Sequence, residues 1–451
     1  MNPSPHTTEQ PRPDRSWPQL AAPDAWTWAK IRHVSGHVVE CDGLQAPLGA
    51  MCEIETDDPG APNVPAEVVA FSDETLKLIP FSETVGVSRE SRIRLVNRRV
   101  GLPVGAHLLG RVIDPLGNPL DDKPLIHPRF VSNFYGRSIP ALHRQPVSTP
   151  MDVGVRAING VLTLAKGQRV GLIAGSGVGK STLLGMMTRG CEADVVVVGL
   201  VGERGREVKE FIHDILTEEE RQRAVVVAAP ADTSPLMRLK VCETAVTIAE
   251  YFRDQGLNVL LLMDSLTRYA MAQREIALAV GEPPATKGYP PSVFARLPAL
   301  VERAGNGSEK QGSITAFYTV LTEGDDLQDP IADAARAILD GHVVLSRTLA
   351  DSGHYPAIDI EASISRVMPM VTSDEHQMMA RRIRQVYSNF KQNQDLISIG
   401  AYAKGSDPRI DLAIRAEPAI NAFLQQGMKN ILPYDECLEG MSALAKGLGK
   451  G

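Results

Sequence analysis

The sequence predicts a multidomain protein. A small β-barrel or sandwich comes first, then an α/β domain on a largely parallel sheet, then a helical C-terminal domain. Three observations carry this. The chain has 451 residues, more than a single hydrophobic core supports. Its hydrophobic pattern changes twice along its length, from short strands to alternating strands and helices and then to helices alone. A glycine-rich loop sits between a buried strand and a helix, the context of a phosphate-binding loop.

Composition narrows the class. Apolar residues make up 43% and charged residues 22%, which excludes a disordered chain, a collagen-like chain and a disulfide scaffold. The net charge is −7, from 54 acidic and 47 basic residues, against the basic excess of a protein that grips nucleic acid or an anionic membrane. Five scattered cysteines contain no CxxC pair, so a zinc ribbon or dithiol site is not expected. The N-terminus has no apolar signal segment, and runs such as Val195 to Val201 and Val259 to Met263 are too short to span a bilayer. A cytoplasmic protein is expected, unless a partner holds it at a membrane.

Residues 1–25 read as a mobile tail, because six prolines among the first 23 residues block helix and strand alike. Trp17 there is either a partner anchor or a core residue; Trp26 and Trp28 read as core of the next domain. Residues 26–99 hold five short Val/Ile/Leu-rich stretches separated by turns, the spacing of a barrel or sandwich. Residues 100–146 read as a connector, with the turn-rich run Gly110 to Asp122.

Residues 147–372 alternate. Strands are expected at Arg169–Ala174, Asp194–Gly202, Ala224–Ala229, Leu257–Asp264, Ser313–Leu321 and Gly341–Leu345. Helices are expected at Lys180–Thr188 with Gly190 as its C′ residue, Glu207–Leu216, Pro235–Gln255 closed by Gly256, and Leu266–Ala279. Such alternation gives a parallel sheet with helices on both faces. Residues 373–451 show helical patterns, ending in a glycine-rich tail that frays.

Four pieces carry chemistry. The loop Ala174, Gly175, Ser176, Gly177, Val178, Gly179, Lys180, Ser181 and Thr182 follows a strand and opens a helix. Its glycines let backbone N–H groups turn toward phosphate oxygens, and the helix N-terminus adds positive potential. Lys180 is the expected partner of the β- and γ-phosphates, and the Ser181 hydroxyl an expected Mg²⁺ ligand. Asp264 ends an apolar strand at the sheet's carboxyl edge, within reach of that Mg²⁺ through water; its alternative is the N-cap of the next helix. Glu203, in the run from Gly202 to Glu207, is placed to orient an attacking water; its alternative is a solvated helix start. Arg366, in Ala362 to Val367, is by default a surface arginine.

With these pieces in place, the chain resembles the catalytic subunits of rotary ATP synthases, and more closely their relatives that energise type III protein export. The similarity runs from about Val34 into the C-terminal helices, through GQRVGLIAGSGVGKSTLL, GLVGERGREVKEF, LLLMDSLTRYAMAQREI, GEPPATKGYPPSVFARLPALVERAG, GSITAFYTVLTEGDD and HYPAIDIEASISRVM. The stretches LTEGDDLQDPIADAARAILDGH, FKQNQDLISIGAYAKGSDP and FLQQG resemble the flagellar branch rather than the virulence injectisome branch.

The resemblance implies a RecA-like phosphate-loop domain that hydrolyses ATP with Mg²⁺ in a homohexameric ring. It implies that Glu203 polarises the attacking water, that Arg204 and Glu207 support it, and that Arg268 sits near the γ-phosphate. It implies that Tyr355 stacks on the adenine and that Arg366 reaches the neighbouring subunit's ATP as an arginine finger. The aromatics that rotary subunits add to the adenine pocket have no residue-by-residue match around Phe423 to Met428.

Implied partners are a stator-like regulator at the N-terminal tail, a central coiled-coil stalk near Gly400 to Pro408, a membrane export gate, and export substrates with their chaperones. The implied location is the cytoplasmic side of the inner-membrane export apparatus. A barrel before a phosphate loop also occurs in RNA-translocating rings, but these need a basic, aromatic-studded cleft. The acidic balance and 5% aromatic content speak against nucleic acid. A non-catalytic ring subunit would lack the water-orienting acid, whereas this chain has both Glu203 and Arg366.

Overall fold

The computed structural model describes residues 28–449 apart from 59, 73–74, 98–100, 125–129, 134–138, 323–325 and 327. The expected mobile tail, Trp17 and Trp26 lie outside the described residues.

Six strands close into a barrel: β1 (Trp28–Ser35), β2 (Val38–Asp42), β3 (Met51–Ile54), β4 (Val64–Ser72), β5 (Thr75–Pro80) and β6 (Arg92–Asn97). All pairs are antiparallel, in the order β1-β2-β5-β4-β3-β6, and β6 returns to β1. Alternating residues such as Val39, Cys41, Ile54, Leu78 and Ile93 fill the interior. Trp28 departs from its expected core role. It opens β1 with its side chain 37% exposed, because it falls on the outward register while Ala29 points in.

The central sheet holds β7 (Arg111–Ile113), β8 (Arg169–Ala174), β9 (Val195–Val201), β10 (Ala224–Ala229), β11 (Asn258–Asp264), β12 (Ser313–Leu321), β13 (Gly341–Leu345) and β14 (Ile358–Ser365). Their order is β14-β13-β8-β12-β11-β9-β10-β7, and every neighbour pair is parallel except β13 with β14. Two elements were not expected. The supposed connector contributes β7 as an edge strand beside β10. Strand β14 runs back along β13, with Ile358 beside Leu345 and Ser365 beside Gly341.

Helices α1 (Arg156–Val161), α2 (Lys180–Gly190), α3 (Gly205–Glu210), α4 (Pro235–Asp254), α5 (Leu266–Ala279), α6 (Pro291–Val301), α7 (Pro330–Ile338) and α8 (Arg347–Asp351) surround the sheet. Helix α4 shows why such segments begin and end where they do. Ser234 caps the Met237 N–H, Pro235 takes the first helical position, and Gly256 follows with φ +87°. The helix expected at Glu207–Leu216 starts at Gly205 and finishes as a π-helical turn over Phe211–Ile215.

Gly190 is not the C′ residue of α2. It is the last helical residue, and a Cβ there would meet Gly154 Cα at 2.5 Å. Its glycine serves a backbone crossing rather than a left-handed turn.

The barrel meets the sheet domain through Lys240 of α4, a buried ammonium 3.0 Å from Glu67 of β4 and 2.8 Å from Glu243. After residue 373, α9 (Asp374–Ser398), α10 (Pro408–Leu424) and α11 (Tyr434–Gly447) follow, with no strand among the described residues. Among the described residues no helix is long and apolar enough to cross a membrane. All five cysteines are buried and free.

Candidate active site

Parallel strands put their carboxyl ends on one edge, and the chemistry collects there. Strand β8 delivers the phosphate loop. Ala174 and Gly175 are buried, the Val178 side chain anchors in the core at 1% exposure, and Ser176, Ser181 and Thr182 face solvent. Gly177 (φ +78°) and Gly179 (φ +91°) hold left-handed conformations that favour glycine. A Cβ at Gly177 would meet nothing within 4 Å, so the cradle is open. The mouth of the loop is framed by Arg347, which donates to the Ser176 carbonyl at 3.2 Å, and by Tyr355, whose ring would lie 3.6 Å from a Cβ on Gly179.

Lys180 opens α2 and turns its ammonium onto the strand ends. Its Nζ donates to Asp264 Oδ1 at 2.6 Å and lies 3.6 Å from Glu203 Oε1. Asp264 is 4% exposed. It is not a helix cap: Ser265 does that work, accepting from the Arg268 N–H at 3.2 Å. Thr319 of β12 donates to the same Asp264 Oδ1 at 2.6 Å.

Glu203 is 7% exposed, which sets aside the solvated helix start, and its Oε1 has no hydrogen-bond partner. Burial pushes its carboxyl up to about 7; Lys180 opposes the shift, while Asp264 and the adjacent Glu207 reinforce it. Burial alone would lower the Lys180 ammonium. The facing charges of Asp264 and Glu203 and the Asp264 hydrogen bond outweigh burial and hold it above the ordinary lysine value. One ammonium therefore faces three carboxyl groups.

Arg268 packs beside this cluster. Its Cβ and Cδ lie 3.8 Å from a Cβ position on Gly202, and its Nε is buried without a partner. Arg204 points outward, 78% exposed, 3.7 Å from Glu207. Arg366 is not brought to the loop. It follows β14 at the opposite edge of the sheet, where its Nη2 donates to the Arg336 carbonyl at 2.9 Å and its N–H to the Asp340 carbonyl at 3.0 Å.

The segment between α10 and α11 closes on the site from outside. The Gln426 N–H donates to the Tyr355 carbonyl at 2.9 Å. Its side chain binds the Arg156 N–H and the carbonyls of Gly154 and Asn430. Phe423 is buried against Gly160, so it is core rather than a base-stacking residue. Sequence reasoning missed Thr319, Arg347 and Gln426. Only Thr319 left a signal, a hydroxyl in a buried strand otherwise suited to apolar residues.

The donor set suits a small hard cation shared with phosphate: the Ser181 hydroxyl and the Asp264 carboxylate, whose Oδ2 takes neither the Lys180 nor the Thr319 bond. Among the described residues no three His, Cys, Asp or Glu side chains cluster as an all-protein metal cage.

Residues 154–365 match the model of the ATP synthase alpha/beta family, nucleotide-binding domain, and residues 372–443 that of the T3SS EscN ATPase C-terminal domain. The chain is 56% identical to the flagellum-specific ATP synthase of Salmonella typhimurium (strain LT2), covering 92% of this chain and 93% of that protein. The chain belongs to the flagellum-specific ATP synthase and type 3 secretion ATPase family. A second member, the flagellum-specific ATP synthase of Pseudomonas aeruginosa, is also 56% identical and covers 93% of both chains. Among solved structures, the assembled ATPase EscN of the enteropathogenic E. coli type III secretion system superposes with TM-score 0.87 at 43% identity, over 92% of this chain and all of that one. EscN in complex with its central stalk EscO superposes with TM-score 0.84 at the same identity and coverage. The fold expected of this family, barrel, nucleotide-binding domain and helical end, is the fold observed.

Proposed function

We propose that this family member couples ATP hydrolysis in a homohexameric ring to the unfolding and delivery of flagellar export substrates. Membership makes the chain an ATP hydrolase of the flagellar export branch. The observation that carries the site reading is the position of Lys180, held between Asp264 and Glu203 at the mouth of an open phosphate loop.

In this reading the loop amides and Lys180 bind the β- and γ-phosphates, and Lys180 exchanges Asp264 for phosphate when ATP enters. Ser181 and Asp264 would hold Mg²⁺, which would supply charge neutralisation on the phosphates. Glu203, buried with its Oε1 free of hydrogen bonds, accepts a hydrogen bond from water and aligns it on the γ-phosphate. Glu207 lies beside that carboxyl and Arg204 balances the Glu207 charge from the solvent side. Arg268 faces the γ-phosphate, and Tyr355 stacks on adenine.

Arg366 completes the site of the next subunit. Its place at the far edge of the sheet supports a role in trans, since its own phosphate loop is a strand length away. Such a finger is worth roughly 10³–10⁵ in rate.

The stalk-bound EscN relative supports a central coiled-coil partner near the turn from Gly400 to Pro408. A stator-like protein at the N-terminal tail, the export gate, chaperoned substrates and an inner-membrane location follow the same family reading. Nucleic acid has no place in it.

The test is Glu203→Gln. This variant binds MgATP with near-native affinity and hydrolyses it at least about a hundredfold more slowly. Unchanged turnover contradicts the assignment of Glu203.

A further inference from the structure

Asp264 receives two hydrogen bonds on one oxygen. Lys180 Nζ and Thr319 Oγ1 each lie 2.6 Å from Oδ1, and neither engages Oδ2. The two donors differ in what nucleotide does to them. Lys180 is a long side chain on the first turn of α2, free to turn toward phosphate. Thr319 sits on β12, between β8 and β11, at 0% exposure. Its strand is hydrogen-bonded on both sides, with Tyr318 paired to Met263 beside the carboxylate. A β-branched side chain in such a strand has little rotamer freedom.

We propose that Thr319 is a positioning residue for the metal-supporting carboxylate. It pins Oδ1 to the sheet when Lys180 leaves, so Oδ2, which takes neither bond, is kept available for the metal. The inference rests on the reading of Asp264 as a Mg²⁺ support. The physical argument is one of preorganisation. A carboxylate that loses its ammonium partner and has no second donor is free to rotate, and ordering it again costs affinity. The Thr319 bond removes that cost. It has a charged acceptor, which places it among the stronger hydrogen bonds.

The experiment measures binding of a fluorescent ATP analogue to the full chain, with EDTA and with Mg²⁺. Thr319→Val keeps the shape and deletes the hydroxyl. It should leave the EDTA affinity unchanged, which also reports a folded site, and cut the Mg²⁺-dependent gain in affinity by about tenfold. Thr319→Ser should restore the gain. Should the valine variant misfold, Thr319→Ala against Thr319→Ser makes the same comparison.

A full Mg²⁺ gain in the hydroxyl-free variants, or an equal loss in the serine variant, overturns the proposal. Asp264→Asn separates the two levels. If it loses the gain while Thr319→Val keeps it, Thr319 has no positioning role and the Asp264 reading stands. If Asp264→Asn keeps the gain, the Asp264 reading fails and the Thr319 proposal falls with it.

Discussion

Tyr355 and Arg366 stand at opposite edges of the central sheet, joined by the single strand β14. Tyr355 lies against Gly179 of the phosphate loop, while Arg366 hydrogen-bonds the Arg336 carbonyl beyond the far end of that strand. The eight residues of β14 span about 25 Å at ~3.3 Å per residue. In the function proposed above, one chain would present Tyr355 to its own nucleotide and Arg366 toward another copy.

Glu203 predicts a pH dependence. Its carboxyl is raised to about 7, and in the proposed role only the carboxylate can draw a proton from the attacking water. Thus kcat/KM should climb as pH rises through the neutral range, and Glu203→Gln should flatten that limb. The same shift has a stability consequence. A carboxyl raised on folding favours the native state fully below its unfolded value and loses that contribution as pH rises through about 7. The thermal midpoint of Glu203→Gln relative to the parent should therefore increase between pH 5 and pH 8, as scanning calorimetry across buffers will show.

Lys180 predicts a coupling. Removing it leaves Asp264 and Glu203 without their cation, so Lys180→Ala should lower the stability of the nucleotide-free protein by about 3 kcal/mol. Adding Asp264→Asn should recover part of that loss rather than deepen it. Urea unfolding of the single and double variants measures the coupling, and strict additivity would count against it.

Gly190 predicts a steric effect. A Cβ there would stand 2.5 Å from Gly154 Cα and 2.7 Å from the Val153 carbonyl oxygen, all backbone that cannot turn aside. Gly190→Ala should destabilise the fold by about 1–3 kcal/mol. A thermal midpoint equal to the parent's would show that the crossing relaxes freely.

What was legible in the sequence follows the range of the forces involved. The phosphate loop, Asp264 and Glu203 were readable because each sits at a strand end that its own apolar run announces. Helix α4 was readable because its cap, first-turn proline and closing glycine are local. Gly190 was misread because a glycine after a helical run signals a cap, whereas a contact with Gly154 decides its use. Strand β14 alternates buried and open positions with Asp359 and Glu361 among them, a weaker signal than the apolar runs of the central strands. Strand β7 has three residues and owes its state to its neighbour β10. Thr319 acquires meaning only from register, which no single segment contains.

The central claim is that each catalytic site is completed by a neighbour's Arg366, and mixing two inactive variants tests it most directly. Arg366→Ala keeps its phosphate loop, and Lys180→Ala keeps its finger. Each alone should hydrolyse ATP roughly 10³-fold or more below the parent. Mixed and assembled together, they should regain a measurable part of the parent rate, since some interfaces then unite an intact Lys180 with an intact Arg366. A mixture no more active than its parts, under conditions where both assemble, would contradict the account.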